Sequence, residues 1–241
     1  MNPTNWNAIA ATYASIQDSR RDIVFPFLAA RLERTSPRTL LDYGGGDGSF
    51  ALACQRAVPQ IVVYEPTPRM SALATRNCRG IRNIRVVSKL KDIPLRCFDV
   101  VTMNAVWMTL PTEEACLREL ARMNHLLRDT GLLIVSVTHP CFRDVRFSTY
   151  STDLSRQEYL KDGEKFTATI FDTRKKLCLH DTHWTLGAMS RQLRTSGFLI
   201  LEIAELADRQ CSPMKARGSP WLVMFCAKNV FAKGQAALRL K

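Results

Sequence analysis

Short apolar runs alternate with amphipathic stretches along most of this chain. Runs rich in Val, Ile and Leu predict strands buried on both faces, while apolar residues at every third or fourth position predict helices. The predicted strands lie at about 38–43, 61–65, 84–87, 98–103, 132–137, 198–204 and 221–227, with helices between most of them. Such alternation predicts an α/β fold in which helices cover both faces of a parallel sheet.

Two regions depart from this alternation. Residues 5–33 have the apolar periodicity of helices, with an interruption expected at Pro26. Residues 140–182 contain two short β-type runs on either side of Asp172-Thr173-Arg174, which predict a β-hairpin. We therefore expect a single domain over 1–241, with an N-terminal helical lid at about 1–34 and a cap insertion at about 140–182.

Composition narrows the class of protein. The chain is 46% hydrophobic and 23% charged, as in ordinary globular proteins. No run approaches the roughly 20 apolar residues that span a bilayer, and the N-terminus lacks the basic and apolar regions of a secretory signal. The eight cysteines are scattered without a Cys-x-x-Cys motif. These features predict a cytoplasmic protein with reduced cysteines and no membrane partner.

The net charge of +12 raises the question of nucleic-acid binding. The basic residues are spread in short clusters, such as Arg20-Arg21 and Arg174-Lys175-Lys176, without a long block or interleaved aromatic residues. This pattern favours a solvated basic surface. We therefore expect a small-molecule partner and no nucleic acid.

A glycine-rich turn follows the first predicted strand. Asp42 ends the apolar run, and Gly44, Gly46 and Gly48 follow at every second position before a helical stretch. Glycine suits such a turn because the backbone takes positive φ there and a ligand can approach the main chain. The spacing Asp-x-Gly-x-Gly-x-Gly differs from the dinucleotide fingerprint Gly-x-Gly-x-x-Gly, since Ser49 stands where its last glycine would fall.

Glu65, at the end of the second predicted strand, completes the motif. A carboxylate can accept from two vicinal hydroxyl groups, and this strand end lies beside the glycine turn in a doubly wound sheet. With these residues the chain resembles the class I S-adenosylmethionine-dependent methyltransferases of small-molecule type, over nearly its whole length. The resemblance implies a Rossmann-like, seven-stranded, mostly parallel sheet. It also implies S-adenosyl-L-methionine as cofactor, with Glu65 on the ribose hydroxyls and Asp42 and the three glycines in the binding turn.

Further cofactor contacts follow from the resemblance. Many relatives place Gly-Asp after the third strand, where the Asp accepts from the adenine amino group, whereas this chain has Ser88-Lys89. Lysine has no acceptor, so backbone groups of Lys89 and Leu90 are expected to hold adenine, with Asp92 as the alternative. Asn104, after the fourth strand, is expected near the methionine moiety.

Tyr13, on the N-terminal helix, resembles the lid that covers cofactor and acceptor in this family. Three aromatic residues, Trp107, Phe142 and Trp184, are expected to face the acceptor, with core packing as the alternative for Trp107. The mixture of aromatic and polar residues over 142–184 predicts a planar acceptor of modest size.

Methyl transfer requires a positioned nucleophile, and a general base when the accepting oxygen or nitrogen carries a proton. His139 follows the fifth strand at the carboxyl edge of the sheet, and His180 and His183 bracket Asp181 after the hairpin. These three histidines are the catalytic candidates. No metal site is expected, because the spacing of His180-Asp181-x-His183 is a weak metal motif.

The sequence leaves other readings open. A methyltransferase for RNA or a protein side chain is the main alternative, a nicotinamide-dependent oxidoreductase is a weaker one, and a cofactor-binding protein without catalysis is a third. The acceptor, the choice between O and N transfer and the oligomeric state are left undetermined.

Overall fold

A computed structural model describes residues 3–208 and 218–229. Of the eight cysteines, Cys211 lies outside these residues. The other seven are free thiols. None of the helices in the described part of the chain is long and apolar enough to cross a membrane.

Residues 3–208 and 218–229 contain ten strands and six α-helices, joined in places by single turns of 3₁₀- or π-helix. The strands are β1 (Thr39–Tyr43), β2 (Gln60–Tyr64), β3 (Ile84–Val87), β4 (Phe98–Asn104), β5 (Leu127–Thr138), β6 (Tyr150–Thr152), β7 (Lys165–Phe171), β8 (Lys176–Thr182), β9 (Phe198–Leu206) and β10 (Trp221–Lys228). The helices are α1 (Trp6–Ser15), α2 (Phe25–Thr35), α3 (Ser49–Cys54), α4 (Pro68–Asn77), α5 (Glu113–Leu126) and α6 (Leu186–Thr195).

Seven of the strands form one sheet in the order β3-β2-β1-β4-β5-β10-β9. The first five pair in parallel, and β10 runs antiparallel to both β5 and β9. The strand order reverses between β1 and β4, where open α/β sheets bind their ligands at the carboxyl ends of the strands. The predicted seven-stranded, mostly parallel sheet is confirmed.

The helix ends follow local chemistry. Thr112 caps α5 by accepting a hydrogen bond from the Ala115 amide, and Thr185 caps α6 in the same way at Ala188. The N-terminal helical segment breaks at residues 16–18, and a turn of π-helix over Arg20–Val24 leads directly into α2, with Pro26 in its first turn. The helical pattern therefore changes just before Pro26, where the interruption was expected, and a full break lies about two turns earlier.

Residues 140–182 form a second, three-stranded antiparallel sheet in the order β6-β7-β8. The predicted hairpin is β7 and β8, and β6 extends it on one side. A separate apolar cluster joins this sheet to α1 and includes Ala10, Ile16, Phe166 and Leu179. Through this cluster the N-terminal helix lies against the second sheet, next to the carboxyl edge of the main one.

Candidate active site

The glycine turn lies between β1 and α3. Gly44, Gly46 and Gly48 have φ of 72°, 57° and 79°, the left-handed region that suits glycine. The Gly44 and Gly45 amides donate to the Tyr64 carbonyl at 2.8 and 3.0 Å, which fixes the turn against β2. A Cβ atom at Gly44 would come within 2.6 Å of Val106, whereas one at Gly46 would meet nothing within 4 Å. Gly46 therefore presents bare backbone to open space.

Glu65 follows β2 and holds the turn from the other side. Its Oε2 accepts from the Gly46 amide at 3.0 Å, and its Oε1 accepts from the Thr67 amide at 2.8 Å. Each carboxylate oxygen keeps a further lone pair for a ligand. Burial raises the pKa of Glu65, and the two amides oppose that rise.

A buried polar network lies under the turn. Asp42 Oδ1 accepts from the Thr102 hydroxyl at 3.1 Å and from the Asn104 amide at 3.4 Å, while Asn104 Oδ1 accepts from Ser136 at 2.9 Å. Asp42 Oδ2 is buried with no partner. Burial raises the pKa of Asp42 to about 7, so this carboxyl titrates near neutrality.

Two arginines of the N-terminal segment, Arg20 and Arg21, lie near the glycine turn. Arg20 donates to the Tyr13 hydroxyl and forms an ion pair with Asp18 at 3.4 Å. Arg21 pairs with Asp47 at 2.7 Å, and it holds the pKa of Asp47 below its usual value despite burial. Tyr13 is itself buried, with its ring beneath the Arg20 guanidinium. The ion pair of Arg21 with Asp47 thus ties the N-terminal segment to the glycine turn.

These groups surround a cleft, which we call the donor cleft. Its lining combines the turn, both strand ends and the N-terminal segment. It includes Trp6, Tyr13, Arg20, Asp42, Gly44, Gly45, Gly46, Asp47, Glu65, Thr67, Met70, Asn104, Ala105, Val106 and Thr109.

Three of the predicted cofactor residues do not line the donor cleft in the described part of the chain. Gly48 faces α4, where a Cβ atom would approach Cys78 to 2.9 Å. Lys89 and Leu90 lie at the short turn after β3, and Lys89 is exposed. Thr67 and Met70 occupy the side of the cleft beyond Glu65 instead.

A second cavity adjoins the donor cleft, and we call it the inner chamber. The chamber shares Trp6, Tyr13, Arg20, Ala105 and Thr109 with the cleft. Its remaining walls come from the N-terminal segment after α1, the turn after β4, the second sheet with the residue before it, β5 and β10. They are Asp18, Ser19, Met108, Thr138, Thr149, Tyr150, Ala168, Ile170, Leu179, Asp181 and Trp221.

Asp181 is the one acidic side chain that the second sheet contributes to this lining in the described chain. It is 5% exposed, and its Oδ1 is buried without a hydrogen-bond partner. Burial raises the pKa of Asp181 to about 6, and the positive charge of Arg143 opposes the rise. Arg143 itself donates to the Thr138 and Tyr150 hydroxyls, which also line the chamber or its edge.

The three candidate histidines fall outside the described lining of both cavities. His139 Nε2 contacts Glu205 at 2.7 Å, on the β9 side of the sheet. His183 Nε2 contacts the Tyr159 carbonyl at 2.7 Å. The backbone of His180 exchanges hydrogen bonds with the Thr4 hydroxyl. Burial lowers the pKa of His139 and of His183, so both are neutral near pH 7.

The three aromatic candidates are likewise absent from the described lining. Trp107 is fully buried and donates to Gln192 at 3.1 Å, and Trp184 is buried in the main core. Phe142 packs on the His139 ring at 4.6 Å and lines a separate surface groove. Trp6 and Trp221 are the tryptophans that reach the chamber.

The sequence did not point to two residues that line the cavities, Arg20 in both and Asp181 in the chamber. Arg20 was notable in the sequence only as part of the basic pair Arg20-Arg21. Asp181 carried a usable pattern, because β8 alternates in and out, and Leu177, Leu179 and Asp181 share one face. A carboxylate that continues an apolar face is expected to lie in a core or a cavity.

Among residues 3–208 and 218–229, no three His, Cys, Asp or Glu side chains are grouped so as to hold a metal ion.

Comparison with protein families places these features in context. A family model described as a methyltransferase domain matches residues 17–203, well over half of the chain. A malonyl-[acyl-carrier protein] O-methyltransferase of Halalkalibacterium halodurans is 26% identical over 117 residues. That segment covers 44% of this chain and 41% of the relative, so the match spans less than half of either protein.

Solved structures show the same fold. The CcbJ methyltransferase of Streptomyces caelestis superposes with a TM-score of 0.66 at 13% identity, covering 95% of this chain and 99% of that one. An S-adenosylmethionine-dependent methyltransferase of Clostridium acetobutylicum gives 0.62 at 11% identity, covering 93% and 99%. At such identities the likeness concerns the fold alone.

Proposed function

Because this chain belongs to the methyltransferase domain family, we propose that it transfers the methyl group of S-adenosyl-L-methionine to an oxygen or nitrogen of a small molecule. The chain is an enzyme of the S-adenosylmethionine-dependent class. The observation that carries the proposal is Glu65, whose carboxylate is fixed by two backbone amides at the mouth of the glycine turn.

The residues of the donor cleft fit this cofactor. Glu65 retains acceptor capacity for two vicinal hydroxyls, as a ribose presents them. Gly46 leaves open the space that any side chain would fill. The guanidinium of Arg20 lines the cleft and provides a basic group for the carboxylate of an amino acid. The bound cofactor supplies an activated methyl group on a sulfonium.

The protein's own contribution is positioning. Gly44, Gly45 and Gly46 let the ligand approach the main chain, and Asn104 is oriented by Asp42 and Ser136. Thr67 and Met70 border the cleft beyond Glu65, so we assign the adenine side to them rather than to Lys89 and Leu90. Tyr13, held by Arg20, covers the cleft as the proposed lid.

The N-terminal helix and the second sheet together form the proposed cap over the acceptor. Both elements contribute to the walls of the inner chamber and pack on each other through one apolar cluster. A chamber walled by several elements in this way suits an enclosed small acceptor. Seven free thiols suit a reducing compartment, consistent with a cytoplasmic enzyme.

The decisive experiment measures binding of S-adenosylhomocysteine and of its 2′-deoxy analogue to the wild type and to Glu65→Ala. The wild type should bind S-adenosylhomocysteine and lose at least tenfold in affinity with the 2′-deoxy analogue, because Glu65 then loses a charged hydrogen bond. In the folded Glu65→Ala variant affinity should fall at least a hundredfold, and the two ligands should bind alike.

Stabilisation by NADH in place of S-adenosylhomocysteine would overturn the proposal in favour of an oxidoreductase. Tight tRNA binding with a steep salt dependence would favour the RNA methyltransferase alternative. A Glu65→Ala protein that still distinguishes the 2′-deoxy analogue would remove Glu65 from the ribose role.

A further inference from the structure

We infer that the inner chamber is the acceptor site and that Asp181 receives the proton-bearing hydroxyl or amino group of a small, largely apolar acceptor. This inference rests on the proposed function, because the donor cleft defines the side from which the methyl group comes. The proposed acceptor is thereby small and largely apolar. The catalytic role that the sequence pattern suggested for the histidines passes to Asp181.

The position of the chamber supports this assignment. Five residues border both cavities, so the two spaces meet along a common wall of Trp6, Tyr13, Arg20, Ala105 and Thr109. A donor in the cleft and an acceptor in the chamber would therefore be separated by these side chains alone. In-line transfer needs donor and acceptor on opposite sides of one short boundary.

The walls of the chamber are mostly apolar. The second sheet supplies Ala168, Ile170 and Leu179, and Met108 and Trp221 close the opposite side. These side chains are buried, with exposed fractions of 8% or less. They suit the apolar body of a small molecule, for which polar contacts are few and decide orientation.

Asp181 provides such a contact. Within the described chain its Oδ1 has no hydrogen-bond partner, although the residue is only 5% exposed. A buried polar group without a partner destabilises the free protein, so a ligand that donates a hydrogen bond there is strongly favoured. Because a carboxylate offers only acceptors, the matching group must carry an O–H or N–H.

The charges that face Asp181 favour its ionised form. Arg143 acts on it directly, and Asp181 in turn raises the pKa values of Tyr13 and Tyr150. A carboxyl that titrates near pH 6 is better matched to proton transfer at neutral pH than an ordinary aspartate.

The step that follows balances in atoms and charge. As the acceptor's oxygen or nitrogen forms its bond to the methyl carbon, it releases its proton to the Asp181 carboxylate. The electron pair of the broken carbon–sulfur bond stays on sulfur. Asp181 then returns the proton to solvent when the product leaves.

The test uses the full-length protein saturated with S-adenosylhomocysteine and measures binding of small probes by ligand-observed NMR. Two isosteric pairs separate the polar contact from shape. Phenol is compared with toluene, and benzylamine with ethylbenzene. At least one polar probe should bind tenfold more tightly than its isostere, because only the polar probe satisfies Asp181.

Variants then assign the preference to one side chain. In Asp181→Ala the preference should disappear, while affinity for S-adenosylhomocysteine stays within twofold. Asp181→Asn keeps the shape of the side chain and should weaken benzylamine more than phenol, since only the amine is cationic. Asp153→Asn, an exposed carboxylate of the same second sheet region, is the matched control and should change neither.

A preference that survives in Asp181→Ala would overturn the assignment, and so would equal binding of both members of each pair to the wild type. Loss of S-adenosylhomocysteine binding by the wild type contradicts the proposed function itself. The two failures are therefore separate readouts of one experiment.

Discussion

The donor cleft and the inner chamber meet at a shared wall, yet they are built in different ways. The cleft depends on main-chain geometry and on residues close in sequence, with Glu65 bound to the amides of Gly46 and Thr67. The chamber is assembled from side chains of α1, β5, the second sheet and β10, which lie far apart in the chain. A constant cofactor can be recognised by a short local motif, whereas an acceptor is recognised by side chains that only folding brings together.

Arg20 belongs to both cavities, so its removal should have the largest effect. Arg20→Met leaves Asp18 buried without its ion-pair partner, a loss that costs about 3–5 kcal/mol of unfolding free energy. Urea denaturation measures this loss. The double variant Asp18→Asn/Arg20→Met should recover most of the stability but not the affinity for S-adenosylhomocysteine. Full recovery of affinity would confine Arg20 to a structural role.

Asp181 should make stability depend on pH. Because its pKa is raised to about 6 in the folded protein, the folded state holds the proton more tightly than the unfolded chain does. The stability that this provides is present below about pH 4 and is lost as pH rises through about 6. Wild type should therefore lose up to about 3 kcal/mol relative to Asp181→Asn over that window.

Urea midpoints measured from pH 3.5 to 7.5 in both proteins test this difference. Asp42 also has a raised pKa, but it is present in both proteins and cancels in the comparison. If the two proteins lose stability in parallel over this range, the pKa of Asp181 is not raised in the folded protein. The chamber would then not differ from the cleft through a buried carboxyl with a raised pKa.

Gly46→Ala tests whether the cleft is made by bare backbone. Gly46 and Gly80 both have positive φ, 57° and 82°, and a Cβ atom at either would meet nothing within 4 Å. Each alanine should cost about 1 kcal/mol of stability through backbone strain. Only Gly46→Ala should also weaken S-adenosylhomocysteine, by about tenfold, because Gly46 alone of the two lines the cleft. Equal affinities in calorimetry would contradict this.

His139→Gln should have the smallest effect. His139 lies outside the described lining of both cavities and contacts Glu205, whose side chain is 61% exposed. Because burial lowers the pKa of His139 and keeps the ring neutral, this contact is a hydrogen bond that contributes about 1 kcal/mol. Affinities for S-adenosylhomocysteine and for the polar probes should change less than twofold. A selective loss of probe binding would return His139 to the acceptor site.

The donor cleft was largely predictable, because its residues lie at strand ends that periodicity locates. Asp42, Gly44, Gly46, Glu65 and Asn104 all line the cleft at the predicted edge of the sheet. The adenine side was not predictable in this way. Thr67 and Met70 reach the cleft because α4 begins right after Glu65, and no motif marks them.

The chamber could not be read from sequence. The histidines and Trp107 were plausible because of their chemistry, yet side-chain direction placed them elsewhere. On β8, residues 180 and 181 point to opposite faces, so Asp181 enters the chamber and His180 does not. Which of two adjacent residues faces a cavity depends on the register of β8 against β7.

The sequence by itself determined the α/β sheet, the family and the cleft proposed for the cofactor, because these follow from periodicity and from a turn that only glycine forms readily. Tertiary structure alone decided the chamber proposed for the acceptor. Its walls come from segments separated by more than 200 residues, as the hydrogen bond from Trp221 to Ser19 illustrates. Contacts of that range are set by packing of whole elements, which no local pattern encodes.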